Sequence, residues 1–358
     1  MKAALIGRSS LYSVTGGDTI QMIKTAGELN KLGVKADIFL ASDRIDYQEY
    51  DLLHFFNLLR PADHLNHIRK SGKPYVVSTI YLDYSAFDHH GRGLPYRLLF
   101  RTLGKHPSEY LKNLYRYARS QDKMVSPQYL LGHRRAMQKI LERASLILPN
   151  SQSEYNRIAS DLGYSGRYEI IPNGIDAEAF SNIPPGILRE EKVLCVAQVY
   201  GMKNQLMLIR ACRKLGVPLE IIGKTPPNHS RYLDHCRKAG GENTRFLDFM
   251  PQSELMRHYA GAKVHALPSW FETTGLSSLE AGAMGCNVVV GKGGDTYEYF
   301  RDLAWYCMAD DPESLETALE KALSHENGPE LRELILSEYT WQKAAAMTKE
   351  AYFKLLNG

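Results

Sequence analysis

Short β-rich apolar runs alternate with helix-period segments along the whole chain, and that alternation restricts it to parallel sheets covered by helices on both faces. In the first half the runs are Lys2 to Ile6, Val34 to Leu40, Asp51 to Phe56, Pro74 to Tyr81, Ser145 to Pro149 and Tyr168 to Pro172. Asp18 opens a helix in which Ile20, Ile23, Ala26 and Leu29 recur at helical spacing, and Gly33 ends it. Ala62 to Lys70 is a second helix, stopped by Ser71-Gly72, and Ser153 to Asp161 a third. The second half repeats the pattern, with strands at Val193 to Ala197, Leu219 to Ile222, Phe246 to Phe249, Val264 to Leu267 and Val288 to Val290. Helices run near Asn204 to Leu215, Tyr232 to Ala239, Ser253 to Ala262, Ser278 to Met284 and Pro312 to Leu323, followed by two terminal helices.

A chain of 358 residues exceeds one typical domain, so two α/β domains are expected. We place the first at 1–178, the second at 179–338 and a last helical piece at 339–358, with the polar, Pro-containing stretch Ser181 to Gly186 as linker. The chain is 44% hydrophobic and 23% charged, an ordinary globular balance, and lacks the roughly 18 consecutive apolar residues of a membrane span. Its opening apolar run is too short for a signal peptide. Cys195, Cys212, Cys236, Cys286 and Cys307 are scattered, with no C-x-x-C, which argues against a disulfide framework or zinc site and for a reducing cytoplasm. Charge is uneven. Between Gly91 and Arg143 twelve Lys or Arg face three acids, +9, leaving about −5 for the rest. Tyr96, Phe100, Tyr110, Tyr115, Tyr117 and Tyr129 interleave with those cations.

Within the second half, the apolar run Lys263 to Leu267 ends at Pro268-Ser269 and is followed by Trp270-Phe271-Glu272-Thr273-Thr274-Gly275-Leu276-Ser277-Ser278-Leu279-Glu280-Ala281-Gly282. This reads as strand, glycine loop and helix start, with Ser277 and Ser278 as N-cap candidates. A helix N-terminus offers unpaired N–H groups and a positive dipole end, which suit a phosphate. Glu272 in the loop and Glu280 in the first turn bracket it with seven residues between, so both can face one cleft. A pyrophosphate on the helix start leaves Glu280 near a ribose and Glu272 near the group on the far phosphate.

These residues resemble the signature of the retaining GT-B glycosyltransferases of family 4, which use nucleotide sugars. The resemblance implies two Rossmann-like doubly wound domains facing a cleft, donor on the second, acceptor on the first, and a C-terminal helix crossing back to the first domain. It implies transfer of a sugar from a nucleotide-diphosphate donor to a glycan or lipid-linked acceptor, with no metal and no cofactor beyond that donor. No D-x-D stands out, and Asp310-Asp311-Pro312 reads as a helix cap. Gly16-Gly17 is similar to the family's phosphate-approaching pair, and Ile171 to Asp176 to its hinge. Val196 to Gln205 resembles the family's Arg…Lys grip on the pyrophosphate: Lys203 keeps its place, but Gln198 stands at the Arg position. Gln lacks the charge and the fork, a loss on the scale of ~2–4 kcal/mol at a leaving group, for which Arg8 or Lys224 could compensate. Leu247 to Pro251, including Phe249, resembles the segment whose backbone meets the nucleobase.

Site residues expected by this resemblance are therefore Glu272, Lys203 and Asp83 for catalysis, and Gly16, Gly17, Gln198, Lys203, Phe249, Thr274, Gly275, Leu276, Ser277 and Glu280 for the donor. Asp83 is the first candidate to replace a family His after the fourth strand, His89 the second, while a turn role for Asp83 stays equally open. Asp88-His89-His90 reads as an exposed loop ahead of a metal site. The basic stretch 91–143 fits a peripheral contact with anionic membrane, an anionic glycan groove or a solvated helical face, and no motif supports nucleic acid. The alternatives kept open are a catalytically weakened nucleotide-sugar-binding subunit of a synthase complex and a GT-B sugar-nucleotide epimerase.

Overall fold

The computed structural model describes residues 1–13, 15–91, 104–118, 129–130 and 132–357, with 116 as backbone alone. Of the basic stretch, Arg92, Arg97, Arg101, Arg119, Lys123, Asp122, Tyr96 and Phe100 lie outside the described residues. The chain forms two units. The first comprises Met1–Leu82, Leu99–Asn173 and Trp341–Gly358, and the second Asp83–Leu98 and Gly174–Thr340.

The first unit holds a parallel sheet of β1 (Lys2–Gly7), β2 (Lys35–Leu40), β3 (Leu52–Phe56), β4 (Tyr75–Ser78) and β5 (Leu146–Leu148), in the order β2-β1-β3-β4-β5. The inner strands are apolar on both faces because helices cover both, so β3 and β4 are buried at every position. Its helices are α1 (Gly17–Lys31), α2 (Pro61–Ser71), α3 (Lys105–Ala118), α4 (His133–Arg143) and α5 (Gln152–Leu162). Pro61 opens α2, where its missing N–H costs nothing. Ser151 caps α5, its Oγ accepting from the Glu154 N–H at 3.0 Å.

The terminal helix, Trp341–Asn357, packs on α1 within this unit. That packing reassigns the α1 faces. Ile20 and Ile23, expected to point inward, are 44% and 40% exposed. Ala26 and Leu29 are buried as expected, joined by Met22, Thr19, Gln21, Thr25 and Glu28, because α1 is covered on more than one side and a single apolar stripe no longer marks its buried surface. The terminal helix is also tied to the sheet. Tyr352 Oη lies 2.5 Å from His54 Nδ1, and His54 Nε2 lies 2.8 Å from Ser78 Oγ. Tyr168 to Pro172 is not a ladder strand: it makes one parallel bridge, Tyr168 to Ile147, at the sheet edge.

The second unit is a six-stranded parallel sheet of β6 (Glu190–Val196), β7 (Leu219–Ile222), β8 (Thr244–Leu247), β9 (Ala262–Leu267), β10 (Asn287–Gly291) and β11 (Trp305–Cys307), ordered β11-β10-β9-β6-β7-β8. Its helices include α6 (Gln205–Leu215), α7 (Ser230–Gly240), α8 (Gln252–Gly261), α9 (Leu276–Ala283), α10 (Pro312–Ser324) and α11 (Glu330–Glu338). Asp311 caps α10 as expected, accepting from the N–H groups of Glu313 and Ser314. The strand order reverses between β6 and β9, so the carboxyl ends of those two strands form this unit's topological switch point.

The first unit's main segment ends at Asn173, five residues before the expected 178, and the terminal piece rejoins that unit at Trp341, two residues after the expected 339. Asp176 caps a single helical turn, Ala177–Phe180, whose Phe180 is wholly buried in the second unit's core. Arg332 Nη2 then holds the Ser181 carbonyl at 2.5 Å, so the supposed linker is fixed to that unit. The chain passes between units beside Gly174 and Thr340, where Ile175 bridges Thr340.

Candidate active site

The second unit's switch point gathers Lys203 and Glu272. Lys203 ends a 3-10 turn, Gly201–Lys203, that follows β6, and Asn204 with φ 59° starts α6 after it. Glu272 sits in the loop after β9 and is 8% exposed. Lys203 Nζ donates to Glu272 Oε1 at 2.5 Å. Burial by itself would lower the Lys203 pKa, but the Glu272 carboxylate outweighs it and holds the ammonium above the ordinary lysine range. Two residues expected from separate motifs thus form one partly buried, charge-assisted pair.

The loop is braced from β10. The Glu272 N–H donates to the Gly293 carbonyl at 3.1 Å, and the Glu272 carbonyl accepts from the Asp295 N–H at 2.8 Å. Gly294, with φ 101°, lies flat against the Glu272 carbonyl, where any side chain would collide with backbone. The Gly291-to-Gly294 turn is a part of the site that reading the sequence missed. Its glycine richness was the available signal.

Helix α9 begins two residues earlier than expected, at Leu276. Gly275, not Ser277 or Ser278, is the N-cap, with φ 74° and no side-chain cap. That left-handed conformation favours glycine and needs no serine. The N–H groups of Ser278 and Leu279 return to the Gly275 carbonyl, while those of Leu276 and Ser277 belong to the open first turn, where helix geometry leaves donors facing outward. Thr274 is buried, with its Oγ1 3.3 Å from Tyr299 Oη. Starting at Leu276 places Glu280 fifth in α9, in the second turn. Its Oε1 accepts from Gln252 Nε2 at 2.7 Å and its Oε2 from Tyr259 Oη at 2.9 Å. Neither partner was found in the sequence, since nothing local links α8 to α9.

Gln198 is exposed, and its carbonyl accepts from Gln205 Nε2 at 2.9 Å. Lys224, after β7, lies beside that segment: its carbonyl accepts from the Val199 N–H at 2.9 Å. Its Nζ stands 4.7 Å over the ring of Phe249, which is 62% exposed. Arg8 is a different case. It belongs to the first unit, where its guanidinium grips Asp18 through Nε at 2.7 Å and Nη2 at 3.1 Å, and also bonds Ser10 and Thr19. These bonds brace the loop after β1. Gly16 and Gly17 also lie in the first unit, as N-cap and first residue of α1, and Gly17 has open space about it.

Asp83 Oδ1 accepts from the Ser85 N–H at 2.9 Å, the geometry of a turn residue. The segment after it is a helical turn and not a loop, exposed at His90 and Gly91 but buried at its start. Phe87–Gly91 forms a π-helical turn with Phe87 and Asp88 buried. Phe87 packs at 6.3 Å from Trp270, and the His90 ring stacks on Trp270 at 6.4 Å. Among the described residues no group of His, Cys, Asp and Glu is arranged to hold a metal ion.

Comparison with known proteins bears on the same region. Residues 178–339 match the family described as Glycosyl transferases group 1. A GDP-mannose-dependent alpha-(1-6)-phosphatidylinositol monomannoside mannosyltransferase of Mycolicibacterium smegmatis is 28% identical over 250 residues, 61% of this chain; the match spans 64% of that relative's length. Among solved structures, sucrose-phosphate synthase of Thermosynechococcus elongatus aligns with a TM-score of 0.75 at 15% identity, covering 99% of each chain. Anabaena HepE in complex with UDP and glucose aligns with a TM-score of 0.70 at 15% identity, covering 98% of this chain and 99% of that one. The fold is GT-B, with two parallel-sheet α/β units.

Proposed function

From the match of residues 178–339 to the group 1 glycosyl transferases, we propose that this chain moves a sugar from a nucleotide-diphosphate donor to a hydroxyl acceptor with retention of configuration. The observation that carries the reading is the Lys203–Glu272 pair at the β6/β9 switch point, next to the open start of α9. The diphosphate takes the α9 N-terminus, where N–H groups and the helix dipole favour negative charge. Lys203 neutralises that charge as it grows on the leaving oxygen, an interaction stronger in the transition state than in the ground state. Lys224 supplies the second cation that Gln198 does not. Glu280 accepts from the ribose hydroxyls, Phe249 lies beside the base, and Glu272 turns to the transferred sugar. The anomeric carbon–phosphate oxygen bond breaks, the acceptor oxygen bonds on the same face, and the acceptor proton passes to the leaving diphosphate. No protein nucleophile enters, and Asp83 keeps a turn role.

A glycan or lipid-linked acceptor suits the first unit. The Mycolicibacterium relative is named for a phosphatidylinositol-linked one. The described part of the basic stretch leaves Leu111, Tyr115 and Leu130 exposed, and α4 carries Arg134, Arg135 and Lys139, which supports a peripheral approach to an anionic membrane.

Thermal shift with UDP, GDP, ADP and CMP in EDTA tests the donor site, because a ligand of the folded state raises its melting point by mass action. The expected result is a rise with one diphosphate that disappears in Glu280→Ala. No rise with any of the four would contradict the reading.

A further inference from the structure

We propose that Gln252 and Tyr259 are positioning residues that set this protein's selectivity for a ribose over a deoxyribose through Glu280. The proposal rests on the reading above that Glu280 meets the donor's ribose. Both residues lie on α8, seven apart, and therefore on one face of that helix. Gln252 Nε2 donates to Glu280 Oε1 at 2.7 Å, and Tyr259 Oη donates to Oε2 at 2.9 Å. One donor on each oxygen fixes the plane of the carboxylate. Because both groups donate, they favour Glu280 ionised, as an acceptor.

The mount is itself held. Tyr259 is fully buried, its ring meets that of His265 edge-on at 6.0 Å, and its carbonyl accepts from Cys286 Sγ at 3.0 Å. The phenol therefore cannot swing away from Glu280. The vicinal hydroxyls of a ribose are paired donors, and a carboxylate with a fixed plane meets both at little ordering cost. Loss of either α8 donor loosens that plane, and the hydroxyl pair is then read less well. Selectivity for the 2′-hydroxyl is thus built on two helices, with α9 carrying the contact and α8 its orientation.

Isothermal titration with UDP, GDP and their 2′-deoxy forms tests this in wild type, Glu280→Ala, Tyr259→Phe and Gln252→Leu. The wild type should prefer the ribo form by about tenfold, the scale of one hydrogen bond to a charged group. That ratio should vanish in Glu280→Ala and shrink to about threefold or less in each α8 variant. A general loss of packing would weaken both forms alike and leave the ratio in place. A ratio lost in Glu280→Ala but intact in Tyr259→Phe and Gln252→Leu overturns the positioning role alone. A ratio intact in Glu280→Ala, or equal binding of both forms by the wild type, removes Glu280 from the ribose and overturns the proposal with it.

Discussion

At the residue scale, the Lys203–Glu272 pair makes a prediction that runs against intuition. In the free protein the Lys203 ammonium is already neutralised by Glu272 at 2.5 Å, so a diphosphate must compete with that carboxylate. Glu272→Gln keeps the shape, removes the competitor and leaves a partly buried lysine without its counter-charge. Nucleoside diphosphate binding should therefore tighten by roughly three- to tenfold while sugar transfer falls by at least about tenfold. Titration of the diphosphate and a turnover assay on the same variant check this, and weaker diphosphate binding would contradict it. Residues of this kind were legible in the sequence because their signal is local: Glu272, Gly275 and Glu280 lie on nine consecutive positions, and Lys203 follows a strand by a short loop. Gln252 and Tyr259 were not, because they reach Glu280 through space from another helix. The Arg8–Asp18 ion pair was not legible either, since its partners lie ten residues apart on different elements.

At the element scale, most strands of both sheets were readable from their apolar runs, since strands buried on both faces carry little else. Strand β11 was missed: it is three residues long, and its Trp305 and Tyr306 are only half-buried. The N-terminus of α9 shifted because a left-handed glycine outranked two serines. The buried histidines mark elements whose fit depends on pH. His54 in β3, His64 in α2 and His265 in β9 are each pushed down by burial to about 3. The unfolded chain takes up these protons near pH 6.5 and the folded chain does not, so stability is full above about 6.5 and falls as pH drops toward 3. His64 packs on the Phe55 ring at 4.9 Å, and among the described residues neither ring nitrogen makes a well-formed hydrogen bond, so an apolar replacement is tolerable. His64→Leu should spare about 2 kcal/mol of the stability lost between pH 7 and pH 5. Urea unfolding at the two pH values measures this; an unchanged difference would contradict it.

At the scale of the whole molecule, two parallel-sheet units follow from length and alternation, and the structure draws them. The chain's path through them was less legible. The described part of Asp83–Leu98 belongs with the second unit, because aromatic packing on Trp270 is made by side chains far apart in sequence, whereas the return of the terminal helix to the first unit was expected and is found, tied there by the buried Tyr352–His54 contact. Both units serve one claim, that the chain transfers sugar and does not merely hold a nucleotide sugar. The measurement that tests it most directly uses the nucleotide sugar whose diphosphate stabilises the protein, in EDTA, with lipid and glycan acceptor fractions. It follows diphosphate release and the anomeric configuration of the product. The account predicts acceptor-dependent release, a product with the donor's configuration, and loss of turnover in Lys203→Ala. Nucleotide sugar bound but left whole with every acceptor fraction, or a product of inverted configuration, would contradict it.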